Sequence, residues 1–356
     1  MLLPSLILSL RLAVSFSQMH HYIIAETIDD AMRTVFEDIF EYGQHVSATK
    51  GNNREIAGVL IEIANGRARL SHTETRGKPF SCLGELCWYL AGSDQVGFIS
   101  YYVPKHYRDK KAVIGAYGPR LWDWKGISQV RTVTEVLRRR PHSRQAVIQL
   151  FDATDLTSAS EDVPCTCTLQ FLARSGELHL IAHMRSNDAY LGLPHDFFCF
   201  TMLQEIVARS LGLELGMYKH MVGSLHLYEK HYTLAREFLG EGWQSLEGMP
   251  PMPYGDPWPS VAALLRAEAH IREGNGEVDE ILTGLEPYWA DLVRLLVAFK
   301  CKKKRDKSGL LVVKEQMSSS LYYPFMDKLL IKSGEPNARR YSTANRTTME
   351  VPKAPP

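Results

Sequence analysis

Three short stretches of this chain hold residue types that could do covalent chemistry. The first is Val163-Pro164-Cys165-Thr166, at the entry to a β-rich run. A cysteine there can attack an electron-poor carbon once its thiol is activated; taken alone, Cys165 reads better as a buried thiol. The second is Arg185-Ser186-Asn187-Asp188, followed by Leu191-Gly192-Leu193-Pro194-His195-Asp196. Within it an arginine, two carboxylates, an amide and a hydroxyl fall close together in sequence. An arginine beside a reactive cysteine favours the thiolate and can grip a phosphate, and a polar surface loop is the plainer alternative. The third is Gly223-Ser224-Leu225-His226-Leu227-Tyr228, where His226 and Tyr228 share one face of an extended segment. By itself that pair fits core packing.

The surrounding pattern predicts mixed α and β structure. Residues 26–47 form an amphipathic helix, and 55–63 a strand that turns at Asn65-Gly66 and returns through Arg67–Leu70. Residues 82–91 read as a helix stopped by Gly92, and 93–124 as loop-rich and aromatic. After a β-rich run at 145–151, residues 166–172 and 177–184 pair across Ser175-Gly176. Arg185–Asp196 is then a loop before a helix over Phe197–Leu211, with Asp196 a candidate N-cap. A further apolar run follows at 218–228. A Pro-rich linker or extended surface segment at 249–260 leads to helical sequence at 261–299, and 333–356 has a disordered composition. The domain reading is an N-terminal extension (1–25), a catalytic domain (26–299) and a basic, polar C-terminal extension (300–356).

Composition narrows the function. Lys plus Arg number 41 against 40 Asp plus Glu, so no general basic field points to nucleic acid. The six cysteines show neither zinc spacing nor a disulfide framework, and a reducing, cytoplasmic setting with no metal is expected. The apolar stretch Leu2–Gln18 lacks a basic start, is broken by Arg11, and is too short for a membrane helix. An extension ahead of a start at Met19 and a targeting signal both remain open for it.

In order and spacing, the three stretches resemble the thymidylate synthase family, without gaps from about Ser143 to His231 and more weakly back to Asn53. The resemblance implies an α/β (α+β) fold, a large kinked mixed sheet flanked by helices, and a homodimer. It makes Cys165 the nucleophile. Upstream, Gly84-Glu85-Leu86-Cys87-Trp88-Tyr89-Leu90-Ala91-Gly92 resembles the family helix whose glutamate organises proton transfer, which gives Glu85. Gly115-Ala116-Tyr117-Gly118 gives Tyr117. For the phosphate of a pyrimidine nucleoside monophosphate the resemblance implies Arg54, Arg185 and Ser186, with Arg144 reaching across the dimer. For the sugar it implies His226 and Tyr228, for the base Asp196, and for folate Asp188, Gly192 and His195. The cosubstrate implied is 5,10-methylenetetrahydrofolate; neither nucleic acid nor membrane is an expected partner.

The chemistry explains these residue types. A thiolate adding to C6 makes C5 of the pyrimidine nucleophilic, and a carboxylic acid must move protons at the 4-position. Capture of the resulting exocyclic methylene by hydride gives a methyl group, and capture by water gives hydroxymethyl. The family's synthases carry asparagine where this chain has Asp196, and its cytidylate hydroxymethylases carry aspartate. An ionised aspartate repels uracil O4, whereas cytosine offers a 4-amino donor. The chain also lacks the short apolar tail that closes over folate in the synthases. Departures from the family pattern are Gln145 for a second arginine, Thr166 for a frequent histidine, His195 for a folate-packing phenylalanine, and no recognisable Trp-Asp segment between Gln95 and Val113. The leading expectation is a dCMP or CMP 5-hydroxymethyltransferase. Alternatives are a thymidylate synthase with an altered C-terminus and a catalytically silent nucleotide-binding homologue.

Overall fold

One mixed sheet organises the chain. The computed structural model describes residues 21–48, 50–104, 111–157, 162–275 and 277–332. Among them the strands are β1 (Tyr22–Ala25), β2 (Gln44–Ala48), β3 (Gly51–Ile63), β4 (Val147–Gln149), β5 (Thr166–Arg174), β6 (Glu177–Asp188) and β7 (Glu214–Tyr228). Their spatial order is β1-β3-β7-β6-β5-β4, with β2 paired to β3. Pairs β1–β3 and β6–β7 are parallel and the others antiparallel. Strand β6 therefore ends beside the end of β7, with Asp188 opposite His226, and beside the start of β5, with Met184 opposite Thr166. All three functional stretches meet at that edge of the sheet. The α/β class implied by the sequence holds.

Helix α1 (Ile28–Tyr42) starts at a Thr27–Asp30 capping box and buries Met32, Val35, Phe36 and Ile39. It stops at Gly43, short of the expected 47, because the polar run Gln44–Ala48 pairs with β3 instead. No strand returns through Arg67–Leu70. That segment crosses to helix α1 and to the Pro-rich stretch, with Ala68 accepting from Ile28 N–H and Arg67 from Met249 N–H. β3 finds its partners in β1 and in β7, far along the chain.

Helix α2 (Pro79–Leu90) carries Glu85. Helices α3 (Val96–Tyr102) and α4 (Tyr117–Trp122) lie within the span expected to be loop, and α5 (Gln129–Arg139) precedes β4. Helix α6 (Gly192–Ser210) is buried almost all round and packs on β6 and β7. Burial of Phe197, Phe198 and Phe200 contributes about 1.5–3 kcal/mol each. Two buried ion pairs fix the scaffold. Arg120 on α4 meets Asp155 at 2.6 Å and the Leu150 carbonyl at 2.6 Å. Glu205 on α6 accepts from Arg69 at 2.6 Å, Arg67 at 2.8 Å and Met252 N–H at 3.1 Å. Burial works against the Glu205 carboxylate, but Arg69 and Arg67 outweigh it and hold it below the usual range. The Pro-rich stretch is thus a packed strap, with Met249 and Met252 buried, and not a loose linker.

The C-terminal part is helical. After α7 (Tyr232–Gly240) come α8 (Trp258–Glu273), α9 (Val278–Thr283), α10 (Pro287–Lys304), α11 (Lys307–Gln316) and α12 (Tyr323–Lys332). The expected boundary at 299/300 falls inside α10, and Leu310, Val313, Phe325 and Met326 beyond it are buried in the main core. Residues 333–356, expected to be disordered, lie outside the described residues, as do residues 1–20. The expected N-terminal boundary at 25/26 follows β1, which belongs to the sheet.

Candidate active site

Arg185, Ser186, Asn187 and Asp188 are the last residues of β6, not a loop, and His195 and Asp196 lie in the opening turns of α6. Asp196 is consequently not an N-cap. The β6–α6 connection is short and tied down: Asp188 Oδ1 accepts from Tyr190 N–H at 2.8 Å and Leu191 N–H at 3.0 Å. Gly192 permits the close approach that follows. A Cβ there would sit 3.3 Å from Asn187 Nδ2 and 3.4 Å from Asp196 Oδ2.

Cys165 is half-buried immediately before β5. Arg185 donates from its backbone to the Cys165 carbonyl at 2.8 Å. Its guanidinium bonds the Pro164 and Val163 carbonyls, each at 2.9 Å, and lies 3.9 Å from Cys165 Sγ. Burial pushes the thiol up, and Arg185 pulls it back only in part. The expectation that the arginine would leave a lowered thiol is therefore corrected: burial wins here. Lys50, in the β2–β3 turn, also favours the thiolate. Sequence reasoning passed over Lys50, because nothing local marks a lone turn lysine as facing a cysteine more than a hundred positions away.

Tyr117 packs against Tyr89 and Phe200. Its hydroxyl oxygen accepts from Thr166 N–H at 3.0 Å and Thr166 Oγ1 at 2.9 Å, which fixes the residue after Cys165. Its own proton remains to be given onward.

Asp196 and Glu85 form the other wall. Asp196 is buried and accepts from Asn187 Nδ2 at 2.6 Å. Burial first, then the nearby Glu85 carboxylate, push its carboxyl up to about 8. Near neutrality it is a carboxylic acid, with its proton on the oxygen that Asn187 does not occupy. Asn187 was quoted in the sequence without a role, and its signal was only its place between Ser186 and Asp188. Glu85 accepts from Tyr89 Oη at 2.8 Å and meets His195 Nδ1 at 2.5 Å. Burial alone would lower His195; Cys82 and Glu85 outweigh it and raise it to about 10.

His226 and Tyr228 end β7 on one face, edge to face at 4.9 Å, and His226 is buried. Ser186 is half-buried opposite Ser224. Two expected residues stand apart. Arg54 is turned to the end of α1, where it donates to the Phe40 carbonyl and meets His45 Nε2 at 3.3 Å. Arg144 is exposed ahead of edge strand β4, its carbonyl bonded to Gln170 at 3.0 Å. The structure thus brings together Cys165, Arg185, Asp196, Glu85, His195 and Tyr117, and leaves Arg54 and Arg144 outside that group.

A half-buried thiol at a strand entry, with an arginine from the adjoining strand and one buried and one half-buried carboxyl from two helices, has the make-up of a site for covalent chemistry on a small polar ring. A family model for thymidylate synthase matches residues 33–247. The chain belongs to the thymidylate synthase family, whose members are one-carbon transferases. A curated relative, the deoxyuridylate hydroxymethyltransferase of Bacillus phage SP01, is 32% identical over 205 residues, covering 52% of this chain and 54% of the relative. The chain spans about half the length of that relative.

Proposed function

We propose that this protein is a pyrimidine nucleoside monophosphate 5-hydroxymethyltransferase acting on the cytosine nucleotide dCMP or CMP. The observation that carries the base assignment is Asp196, buried with one oxygen engaged by Asn187, where burial and the Glu85 carboxylate push its carboxyl up to about 8 and favour the neutral acid. Such a group offers one donor, for cytosine N3, and one acceptor, for the 4-amino group. The relative's name supports the hydroxymethyl outcome. It also favours a second reading in which dUMP is the substrate, since a neutral acid can pair with uracil if its proton sits on the other oxygen.

In the proposed reaction Cys165 adds to C6, and Arg185 stabilises its thiolate once nucleotide displaces water from the site. Arg185 and Ser186 hold the phosphate, with Lys50 a further cation at the same edge; Arg144 joins from a second subunit of a homodimer. His226 and Tyr228 hold the sugar hydroxyl. Tyr117 passes the C5 proton out, and Glu85 handles protons at the 4-position. The family's cosubstrate, methylenetetrahydrofolate, supplies the one-carbon unit. Of the residues carried over for folate, Asp188 caps a turn, Gly192 admits the Asn187–Asp196 contact, and His195 is bound to Glu85. Exposed Leu191 provides an apolar contact at the same rim.

The test is incubation with methylenetetrahydrofolate and C5-tritiated dCMP, CMP or dUMP in separate reactions, reading tritium release and product mass. Hydroxymethylated dCMP or CMP is expected. Methylated dUMP with oxidised folate would refute the proposal, and hydroxymethylated dUMP alone would establish the second reading.

A further inference from the structure

His195 stands where the resemblance places a folate-packing phenylalanine, yet its neighbours here are polar on both ring nitrogens. Nδ1 meets Glu85 Oε2 at 2.5 Å and Nε2 meets Ser81 Oγ at 3.2 Å. The Ser81 hydroxyl also reaches the Lys78 carbonyl at 3.3 Å, and with its proton directed there its oxygen is free to accept from Nε2. Donation at both nitrogens is the arrangement of an imidazolium, and the Glu85 carboxylate against Nδ1 favours that cation. Glu85 Oε1 meanwhile takes the Tyr89 hydroxyl at 2.8 Å. Each oxygen of Glu85 therefore has a donor, and one of the donors is a cation that a phenylalanine cannot supply.

We infer that His195 is a positioning residue for Glu85, holding it as an ionised, oriented carboxylate that serves as the base for water at the reacting carbon. The inference rests on the hydroxymethyl reading above. In the step concerned, the oxygen of water bonds to the exocyclic methylene carbon and its proton passes to Glu85. The exocyclic π pair moves into the ring to make the C5=C6 double bond, and the C6–S bond breaks with its electrons on Cys165, which leaves as thiolate. His195 keeps its protons throughout, and Glu85 gives up the acquired proton before the next turnover. An imidazolium in place of a phenylalanine also makes this wall hospitable to water, the co-reactant of the step. The titratable groups that act on the pair are Cys82 and Tyr89 from α2 and Asp196 and Cys199 from α6. The raised basicity of His195 agrees with a cation there.

The experiment compares wild type with His195→Phe and His195→Gln, measuring C5 tritium release and hydroxymethyl product across pH. With His195→Phe, product formation falls about tenfold or more while tritium release falls less. The acidic limb of product formation moves to higher pH by about one unit, because removing an adjacent cation raises a carboxylic acid's pKa. His195→Gln keeps a hydrogen-bond donor without the charge, and recovers part of the product yield but not the limb. Wild-type ratio and limb in both variants, with only the folate KM changed, would reduce His195 to packing and overturn the inference. A histidine-labelled NMR titration reads the pair without turnover. His195 stays doubly protonated past about pH 8 and loses that property in Glu85→Gln. A neutral His195 at about pH 7 would refute the inference even if the enzyme proved fully active. Absence of tritium release from every nucleotide, with His195 still an imidazolium, would count against the hydroxymethyl reading instead.

Discussion

Replacing Asp196 by asparagine probes the base assignment most directly. With its carboxyl raised to about 8, Asp196 is about nine-tenths neutral near pH 7 and mostly ionised a unit or so above its pKa. If the neutral form donates to cytosine N3, kcat/KM for dCMP falls about tenfold per pH unit above that point. In Asp196→Asn nothing titrates there and the limb disappears. The amide can also present its donor to uracil O4, because Asn187 can reverse its own amide to suit; Asn187 Oδ1 has no hydrogen-bond partner now. Two base atoms change from unmatched to matched, each about 1–3 kcal/mol. The dUMP-to-dCMP preference should then shift by about 10²–10⁴. Tritium release from C5 of both nucleotides, measured across the pH range, reports both effects. An unchanged alkaline limb, or a preference that moves less than about threefold, would refute the reasoning. Stability supplies a sign check. A carboxyl raised from 3.8 to about 8 binds its proton more tightly in the folded chain, so wild-type stability falls as pH rises through that window. The asparagine variant lacks this slope in urea titrations.

Three further outcomes are expected. Cys165→Ser abolishes C5 tritium release, by about 10³-fold or more, and with it any covalent complex with a 5-fluoro nucleotide seen by mass spectrometry. Tyr117→Phe removes the acceptor of the buried Thr166 N–H and lowers stability by about 1–3 kcal/mol in denaturant unfolding, besides slowing tritium release. Glu205→Gln leaves buried Arg69 without its counter-charge and costs about 3–5 kcal/mol, read as a lower urea midpoint with an unchanged m-value.

The motifs were legible because their residues sit next to one another in sequence: Pro164-Cys165, Arg185-Ser186 and His226-x-Tyr228 each occupy one strand end. The segment holding most of them was still misread as a loop. Arg185, Ser186 and Asp188 are polar on a strand whose end faces the site, so the apolar alternation that marks a half-buried strand fades where function begins. Pro194 hid the start of α6, although proline is tolerated in a first turn. Asn65-Gly66 suggested a hairpin, but the β3 partners are β1 and β7, and local turn chemistry carries no information about strands that distant. The lysine run after Phe299 resembled a solvated tail. It is the end of α10, where cations complement the negative end of the helix dipole, and the chain beyond it returns to the core. His195 was visible as a departure from the family, but the glutamate and serine it binds lie on another helix.

Gly84 precedes Glu85, and a Cβ on it would fall inside the Tyr102 ring. Tyr102 in turn donates to buried Glu268 of α8 at 2.8 Å, and Phe299 of α10 stacks on both Tyr102 and Phe80. The helix that aims Glu85 is therefore braced by segments past residue 247, where the match to the family model stops. The match ends there, but the hydrophobic core does not. A clone trimmed to the matched span would strip the backing from α2 and expose its apolar side. Exchange of the C-terminal helices between relatives would meet the same obstacle unless Gly84, Tyr102 and Glu268 travelled together.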